Sequence, residues 1–240
     1  MTNNCTNLPL MDVYGSALKD FAEEKESAKL MLHTSYGEPE EMPIWYFFRE
    51  YTEMPDLEKM ALSVCEGRVL DVGAGTGSHA ICLQQMGYNI TAIDTSNDAV
   101  NIMKASKVND ARVQDYFTLQ NEKFDTILGL MNGIGFVGKL SGLENFLVQA
   151  DRLLNTDGQI IIDSSDIAYL YEDTERPTDH YYGEVQFQYE YGGRKGDWFD
   201  WVYIDMDTLT EKAYELGWIT YILHKDDNDQ YLARLVRRTN

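Results

Sequence analysis

The stretch VLDVGAGTGSHA, residues 69–80, decides how this chain folds. It begins as a short apolar run that contains the acid Asp71, and it continues with glycines at positions 73, 75 and 77. Glycine tolerates positive φ and lets another molecule approach the main chain closely. In open α/β sheets, ligands lie at the carboxyl ends of the strands, where such turns lead into helices. The stretch therefore predicts a strand, a ligand-binding turn and a helix.

Strand-like and helix-like segments alternate from residue 68 to residue 165. Segments with apolar residues at helical spacing separate short apolar runs. Those runs are RVLDV (68–72), NITAID (89–94), ARVQD (111–115), FDTILGLM (124–131) and GQIIIDSS (158–165). The alternation predicts crossover connections and a parallel sheet covered by helices on both faces. Two later runs joined by a tight polar turn predict that the sheet ends with an antiparallel strand.

The whole chain, 1–240, is expected to form one α/β domain with a Rossmann-like, doubly wound, mostly parallel seven-stranded sheet. Apolar residues at helical spacing over 16–32 make residues 1–62 a helical N-terminal cap. Residues 63–165 form the cofactor-binding core, and residues 206–240 add a terminal helix and strands. Residues 166–205 hold two aromatic-rich runs around Gly-Gly-Arg-Lys-Gly, which predicts an inserted β-hairpin or lid.

Composition and charge exclude several classes of protein. The chain has 240 residues and a formal net charge of −20, so nucleic-acid binding through a broad basic face is not expected. No apolar run approaches the ~20 residues that span a bilayer, so we expect no membrane contact, and the N-terminus lacks a signal-peptide pattern. Three widely spaced cysteines fit a reducing compartment and a cytoplasmic protein. The sequence offers no metal-ligand set and leaves a homodimer open.

Two acids at later strand ends indicate what the glycine turn binds. Asp94 ends the second strand about 20 residues beyond the turn, where a carboxylate can accept both hydroxyl groups of a ribose. Asp115 ends the third strand and can accept a hydrogen from an adenine amino group. Together these strand ends predict a pocket for an adenosine-like molecule. The G-x-G-x-G spacing differs from the dinucleotide pattern, and Asp71 ahead of it suits a cation better than a pyrophosphate.

These segments resemble the class I S-adenosylmethionine-dependent methyltransferases. LDVGAGTG (70–77) matches the first motif of that family, an acid followed after one residue by G-x-G-x-G. TAIDTS (91–96), QDYF (114–117) and FDTILGLMNGIG (124–135) look like the motifs of its second, third and fourth strands. The resemblance covers residues 68–163 well and residues 207–237 more loosely. It implies S-adenosyl-L-methionine as the cofactor.

The resemblance also implies roles at the methionine end of the cofactor. The backbone of residues 73–77 would hold the methionine portion, and Asp71 would contact its ammonium group. Arg49, in a segment before the first motif, would hold the cofactor carboxylate. Leu130 and Met131, which leave the fourth strand, would face the sulfonium group.

At the nucleoside end, the resemblance assigns the ribose hydroxyls to Asp94 and the adenine to Asp115 and the backbone of Tyr116. Tyr14 would cover the cofactor. The full set of expected cofactor-binding residues is Tyr14, Arg49, Asp71, Gly73, Ala74, Gly75, Gly77, Asp94, Thr95, Asp115, Tyr116, Leu130 and Met131.

The acceptor side is less defined in the sequence. Asn132 either orients an acceptor through its amide or serves as an Asn-Gly turn residue. His180, at the entrance to the hairpin, is a candidate for proton transfer. The aromatic residues of segment 181–203 either line a site for a flat or cationic acceptor or pack the hairpin onto the domain.

The leading hypothesis is methyl transfer to an oxygen, nitrogen or carbon atom of a small molecule, by direct displacement at the methyl group. An acidic chain with an insertion able to cap a pocket favours a small acceptor. The chain also lacks the Asn-Pro-Pro-Tyr run that marks methylation of nucleic-acid bases and protein amides. The alternatives are a protein acceptor, a cofactor-binding protein without catalysis, and an NAD(P)-dependent oxidoreductase, against which the glycine spacing argues.

Overall fold

The computed structural model describes residues 12–25 and 28–239 of the chain. Its α-helices are α1 (Val13–Ala22), α2 (Asp56–Ser63), α3 (Ser78–Gln85), α4 (Asn97–Ala105), α5 (Gly142–Leu153) and α6 (Met206–Glu215). Its strands are β1 (Met31–Thr34), β2 (Glu40–Glu41), β3 (Arg68–Val72), β4 (Asn89–Asp94), β5 (Ala111–Val113), β6 (Phe124–Gly129), β7 (Leu154–Ser165), β8 (Glu184–Tyr191), β9 (Arg194–Lys195), β10 (Phe199–Val202), β11 (Trp218–Lys225) and β12 (Gln230–Arg237).

Seven strands form the central sheet in the order β11-β12-β7-β6-β3-β4-β5. The five strands from β7 to β5 pair in parallel, whereas β12 is antiparallel to both of its neighbours. The expected doubly wound sheet with an antiparallel terminal strand is therefore confirmed. Because β4 and β5 lie on one side of β3 while β6 and β7 lie on the other, the direction of winding reverses at β3. The glycine turn follows β3 and so lies at this switch point.

Helices cover both faces of the central sheet, and each face has its own apolar core. Phe146 of α5 and Leu209 of α6 are fully buried on one face. Leu62 of α2, Leu83 of α3 and Met103 of α4 are fully buried on the other. This two-sided burial explains why the parallel strands read as nearly continuous apolar runs.

The N-terminal segment differs from the expected helical cap. Helix α1 ends at Ala22, and residues 31–34 form a strand rather than the last turn of a helix. This strand, β1, pairs antiparallel with β8, more than 150 residues later in the chain, with Leu32 opposite Tyr189. The helical interpretation of 16–32 was wrong beyond Ala22. Residues 31–34 form backbone hydrogen bonds with a strand that is distant in the chain, and the local spacing of apolar residues does not reveal such a partner.

The inserted hairpin is present and belongs to a larger structure. β8 pairs with β10 and, at the Gly192–Gly193 turn, with the short β9. Together with β1 and β2 they make a second sheet of five strands. Side chains alternate along β8, so that Val185 and Phe187 are buried while Gln186 is exposed. The second sheet thus has one aromatic face directed inward and one polar face directed to solvent.

In the part of the chain that the structure describes, no helix is both long enough and apolar enough to cross a membrane.

Candidate active site

A cavity of about 810 Å³ lies between the carboxyl edge of the central sheet and the aromatic face of the second sheet. The loops after β3, β4, β5 and β6 line one side of it. Residues of β1, β8 and β10 line the other side, and α1 and the segment Ile44–Phe48 also contribute to it. The loops expected to bind a cofactor and the aromatic strands of the insertion therefore border the same cavity.

The glycines of the turn after β3 have different surroundings. Gly73 has φ +68°, and an added Cβ would meet no atom within 4 Å, so its backbone is open to the cavity. Gly77, with φ +86°, begins α3 and faces α4, where an added Cβ would lie 2.8 Å from Met103. Gly73 leaves room for a ligand, whereas Gly77 allows the close approach of two helices. The expected contact of Gly77 with the cofactor is replaced by a packing role.

Asp94 holds the glycine turn in place from the end of β4. Its Oδ2 accepts a hydrogen bond from Gly75 N at 2.9 Å, and its Oδ1 accepts one from Ser96 N at 2.8 Å. Burial raises the pKa of Asp94, against the lowering effect of these backbone donors. Asp94 and the exposed Thr95 both line the cavity. The carboxylate is thus placed where the sequence predicted a ribose-binding group.

Asp71 is buried at the end of β3, and its Oδ2 has no hydrogen-bond partner in the structure. Burial raises the pKa of this carboxyl group to about 6. A buried carboxylate without a partner is unfavourable unless a cation or a donor joins it. Since Asp71 lines the cavity, an ammonium group bound there would supply what the side chain lacks. The methionine end of S-adenosylmethionine fits this requirement.

A buried ionic cluster lies beside Asp71. Arg49 donates from Nη2 to Glu58 Oε1 at 2.7 Å, and Glu58 Oε2 is 2.8 Å from His79 Nε2. All three side chains are buried and line the cavity. Burial by itself lowers the pKa of His79, but the hydrogen bond to Glu58 and the nearby Asp71 raise it above its usual value. The cluster brings positive charge to the end of the cavity where a carboxylate was expected.

Sequence reasoning singled out Arg49 and assigned no role at the cofactor to Glu58 or His79. His79 comes two residues after the last glycine, which is the one local signal available. Glu58 lies in α2, nine residues after Arg49 and 21 before His79. Its two contacts depend on how α2 packs against α3, and no spacing rule predicts them.

The adenine side of the cavity contains the expected residues. Asp115 is exposed and accepts a hydrogen bond from Phe117 N at 2.8 Å, which caps the short helix Tyr116–Thr118. The Tyr116 ring is buried against Phe146, and Leu130 is also buried. Asp115, Tyr116 and Leu130 line the cavity, as do Ala74, Gly75 and Met131.

Tyr14 covers the glycine turn from α1. Its ring stacks on Tyr189 with centroids 5.3 Å apart and meets Phe47 edge-on at 5.2 Å. A Cβ added at Gly75 would lie 3.2 Å from its hydroxyl oxygen. Tyr14 is therefore placed over the cavity, between the central sheet and the second sheet.

The two candidates for catalysis, Asn132 and His180, differ in their position relative to the cavity. Asn132 lines the cavity with φ +57°, and its Oδ1 accepts a hydrogen bond from Ser165 Oγ at 2.7 Å. It is a left-handed turn residue that also lines the cavity, which agrees with the turn interpretation, and its role towards an acceptor stays a prediction. His180 lies outside the cavity, with its side chain 43% exposed and its Nδ1 2.7 Å from Asp179. The structure therefore gives no geometric support for a part of His180 in proton transfer.

The aromatic residues of the insertion divide between the two interpretations as well. Trp198 is exposed to solvent, and Tyr181 and Tyr182 pack at the base of the hairpin. Five others line the cavity: Phe187, Tyr189, Phe199, Trp201 and Tyr203. We call these five residues the aromatic wall.

The comparisons with known proteins agree with this geometry. A crystallised protein from Bacteroides fragilis, described as an S-adenosylmethionine-dependent methyltransferase in complex with S-adenosyl-L-homocysteine, is 38% identical to this chain. The match covers 96% of this chain and 98% of that one, with a TM-score of 0.88. The chain belongs to the S-adenosylmethionine-dependent methyltransferases. Its fold, its cofactor S-adenosyl-L-methionine and its class as a methyltransferase follow from this membership.

Two further matches agree with the membership, and a third shares the fold. A family model described as a methyltransferase domain matches residues 70–162 of this methyltransferase. An uncharacterized methyltransferase of Staphylococcus carnosus is 38% identical over 82 residues, which is 34% of this chain and 38% of that protein. The CcbJ methyltransferase of Streptomyces caelestis, 14% identical with a TM-score of 0.63, has the same fold.

Proposed function

We propose that this methyltransferase acts on a small molecule, which is held between the end of β6 and the aromatic wall. The observation that carries the proposal is the single cavity of about 810 Å³, in which the cofactor-binding loops face the wall. Its size is that of a small-molecule site, for which about 300–1,000 Å³ is usual. An acceptor inside a macromolecule would have to pass the second sheet, which covers this edge of the central sheet.

Similarity in fold is consistent with this acceptor class. A sugar N-methyltransferase, KedS8 of a Streptoalloteichus species, is 14% identical with a TM-score of 0.56. CalS10 of Micromonospora echinaspora, an amino pentose methyltransferase crystallised with S-adenosylmethionine, is 13% identical with a TM-score of 0.51. At this identity the two proteins share only the fold with this chain, and they show that the fold serves small acceptors.

The residues of the cavity divide the binding of the cofactor among them. Asp71 takes the ammonium group, and Arg49 and His79, held by Glu58, meet the carboxylate. Asp94 accepts the ribose hydroxyls, while Asp115 and the Tyr116 backbone take the adenine. When bound, S-adenosylmethionine supplies a methyl group on a positively charged sulfur, which an aligned nucleophile can attack directly.

On the acceptor side, Asn132 orients the nucleophile and the aromatic wall excludes water. The Ser165 hydroxyl donates to one lone pair of Asn132 Oδ1, so the second lone pair of this oxygen and the amide N–H groups remain for an acceptor atom. An amide cannot take up a proton at neutral pH, so Asn132 positions the acceptor and does not act as a base. Alignment in a water-poor site accounts for a large part of the rate in such transfers.

The proposed residue roles are tested by isothermal titration calorimetry with S-adenosylhomocysteine, S-adenosylmethionine and NAD. Asp94→Ala removes the acceptor of two backbone N–H groups together with the ribose contact, so we expect the affinity for S-adenosylhomocysteine to fall roughly 100-fold or more. Asp227→Ala, in the exposed turn between β11 and β12, is the matched control and should bind normally.

Two results would contradict the assignment of the cofactor site, and a third would refute the proposed class of acceptor. Unchanged affinity in Asp94→Ala would remove Asp94 from the cofactor site. Preference for NAD over S-adenosylhomocysteine in the unmodified protein would show that the glycine turn holds a different ligand. Methyl transfer to a protein substrate but to no small molecule in an acceptor screen would refute the small-acceptor proposal.

A further inference from the structure

The aromatic wall is a continuous surface of rings. Phe187 lies 6.1 Å from Phe199 and 6.3 Å from both Trp201 and Tyr203, measured between ring centroids. Tyr189 extends the wall at 5.4 Å from Phe199. All five residues point inward because they occupy alternate positions on β8 and on the run that begins with β10. The wall therefore presents π-faces and ring edges to anything bound opposite the cofactor loops.

The position of Trp201 is tightly determined. Its indole lies against the backbone of Gly135, where an added Cβ would come within 2.0 Å of the ring. Gly135 belongs to the segment Gly133–Val137, which follows the end of β6 next to Asn132. The Trp201 ring is thus fixed by packing to the same segment that carries the proposed positioning residue.

The charges around the cavity exclude an anionic acceptor. Among the described residues that line the cavity, the basic side chains are Arg49 and His79, and both are already paired with Glu58, at 2.7 and 2.8 Å respectively. Asp71, Asp94 and Asp115 line the same cavity. A carboxylate or phosphate on the acceptor would find no free cation to offset the loss of its hydration.

The polar groups on the acceptor side are not bases. The ends of β6 and β12 contribute the amides of Asn132 and Gln230, and the wall contributes the phenols of Tyr189 and Tyr203. Burial raises the pKa of both phenols above the usual value, so they stay protonated at neutral pH. The acceptor must therefore carry a nucleophile that attacks without first giving a proton to the protein.

We propose that the acceptor is an amine on an apolar or flat body, which the aromatic wall selects by cation–π contact; this inference rests on the proposed function. The amine gives its proton to solvent as it binds, and the neutral amine then has a free lone pair, so no base from the protein is required. The lone pair forms the new N–C bond as the C–S bond of the cofactor breaks, and the electron pair of that bond stays on sulfur. The product ammonium ion loses its extra proton to solvent. The rings of the wall stabilise the positive charge that develops on nitrogen.

The test uses a pair of probes of the same shape. Choline carries a quaternary ammonium group, and 3,3-dimethyl-1-butanol has the same outline without charge. Binding is measured by calorimetry and Trp fluorescence with saturating S-adenosylhomocysteine, which lacks the positive sulfur and so leaves the wall free of other cations. We expect choline to bind at least about 10-fold more tightly than the alcohol.

Substitutions in the insertion test which side chain causes the preference for choline over the alcohol. Trp201→Leu should abolish the preference for choline, and Trp201→Phe, which keeps a ring, should retain part of it. Trp198→Leu is the matched control, because Trp198 lies in the same hairpin but is 48% exposed and away from the cavity. Unchanged affinity for S-adenosylhomocysteine shows that each variant is folded.

The outcomes separate the two proposals. If S-adenosylhomocysteine binds but the two probes bind equally, or neither binds, the amine proposal is wrong and the proposed function stands. If the preference for choline is as large in Trp201→Leu as in the unmodified protein, the wall does not select the cation. A screen with cofactor that methylates hydroxyl or carbon acceptors but no amines would also overturn the inference. Failure of S-adenosylhomocysteine to bind would instead refute the assignment of the cofactor site.

Discussion

Asp71 illustrates how a residue can be unfavourable for folding and useful for binding. Its carboxylate is buried, and Oδ2 has no hydrogen-bond partner among the residues that the structure describes. Glu58, which is equally buried, avoids this problem because it contacts both Arg49 and His79. Glu58 is therefore satisfied by contacts within the protein, whereas Asp71 keeps an unpaired oxygen that the proposed ammonium contact would satisfy.

Burying the Asp71 carboxylate costs free energy, and this should make the free energy of unfolding depend on pH. Burial raises its pKa to about 6, from an ordinary value near 4. Between these two pH values the folded chain keeps its proton while the unfolded chain loses it, so the free energy of unfolding falls as the pH rises. The loss is complete above about pH 6 and amounts to about 3 kcal/mol at most. Asp71→Asn removes this decline and weakens cofactor binding.

The measurement is urea unfolding of both proteins from about pH 4 to pH 8, without cofactor. The stability of Asp71→Asn relative to the unmodified protein should increase through the window and level off above it. Asp227→Asn, which changes an exposed turn residue, should follow the unmodified protein throughout. Parallel pH profiles for Asp71→Asn and the unmodified protein would show that Asp71 is not the residue responsible.

At the scale of elements, the glycines of the turn between β3 and α3 serve two purposes, space for a ligand and close packing of two helices. The sequence does not distinguish between them. Gly73 and Gly77 both have positive φ, but one is open to the cavity and the other packs against Met103 of α4. Replacement of either glycine by alanine should cost about 1 kcal/mol for the left-handed backbone. The further consequences should differ according to what the new methyl group meets.

We expect Gly73→Ala to lose affinity for S-adenosylhomocysteine at least about 10-fold with only the backbone cost in stability, because its methyl group enters the ligand space. Gly77→Ala should lose a further 1–3 kcal/mol or so through overpacking against Met103. Gly192→Ala, with φ +58° and no atom within 4 Å of the added Cβ, is the matched control for backbone strain alone. Calorimetry and thermal unfolding measure the two effects. Normal ligand affinity in Gly73→Ala would refute the open approach to its backbone.

At the scale of the whole molecule, the net charge of −20 surrounds a cavity that is itself lined by carboxylates. S-adenosylmethionine carries one more positive charge than S-adenosylhomocysteine, so the field of the protein favours the first of these ligands. Added salt screens that field. From about 20 mM to about 0.5 M NaCl, the affinity for S-adenosylmethionine should fall roughly two- to fivefold.

Calorimetry at several salt concentrations tests this expectation, with S-adenosylhomocysteine, a zwitterion with a net charge of zero, as the comparison. Its affinity should change by less than about twofold over the same range. Equal salt dependence for the two ligands would show that the overall charge of the protein does not contribute to cofactor preference.

The sequence was sufficient for the central sheet and for the ends of its strands. Ser96, at the end of the TAIDTS motif, is a residue type that favours helix N-caps, and its side chain accepts a hydrogen bond from Ala99 N at the start of α4. Asp71, Asp94 and Asp115 were placed at strand ends from the periodicity alone, and all three line one cavity. These features could be predicted from the sequence because they depend on residues within a few positions of one another. This holds for the spacing of apolar residues in strands and helices and for the residues that cap helices.

The tertiary structure alone decided the rest, because the decisive contacts join residues that are distant in the chain. Residues 31–34 have no local preference strong enough to specify a strand, and they become one only through pairing with β8. His180 was separated from the cavity by the fold of the hairpin, and Glu58 was brought to Arg49 and His79 by the packing of α2. Local chemistry determined the elements and the cofactor loop. The long-range pairing that folds the second sheet over the site determined the enclosed cavity and its aromatic wall.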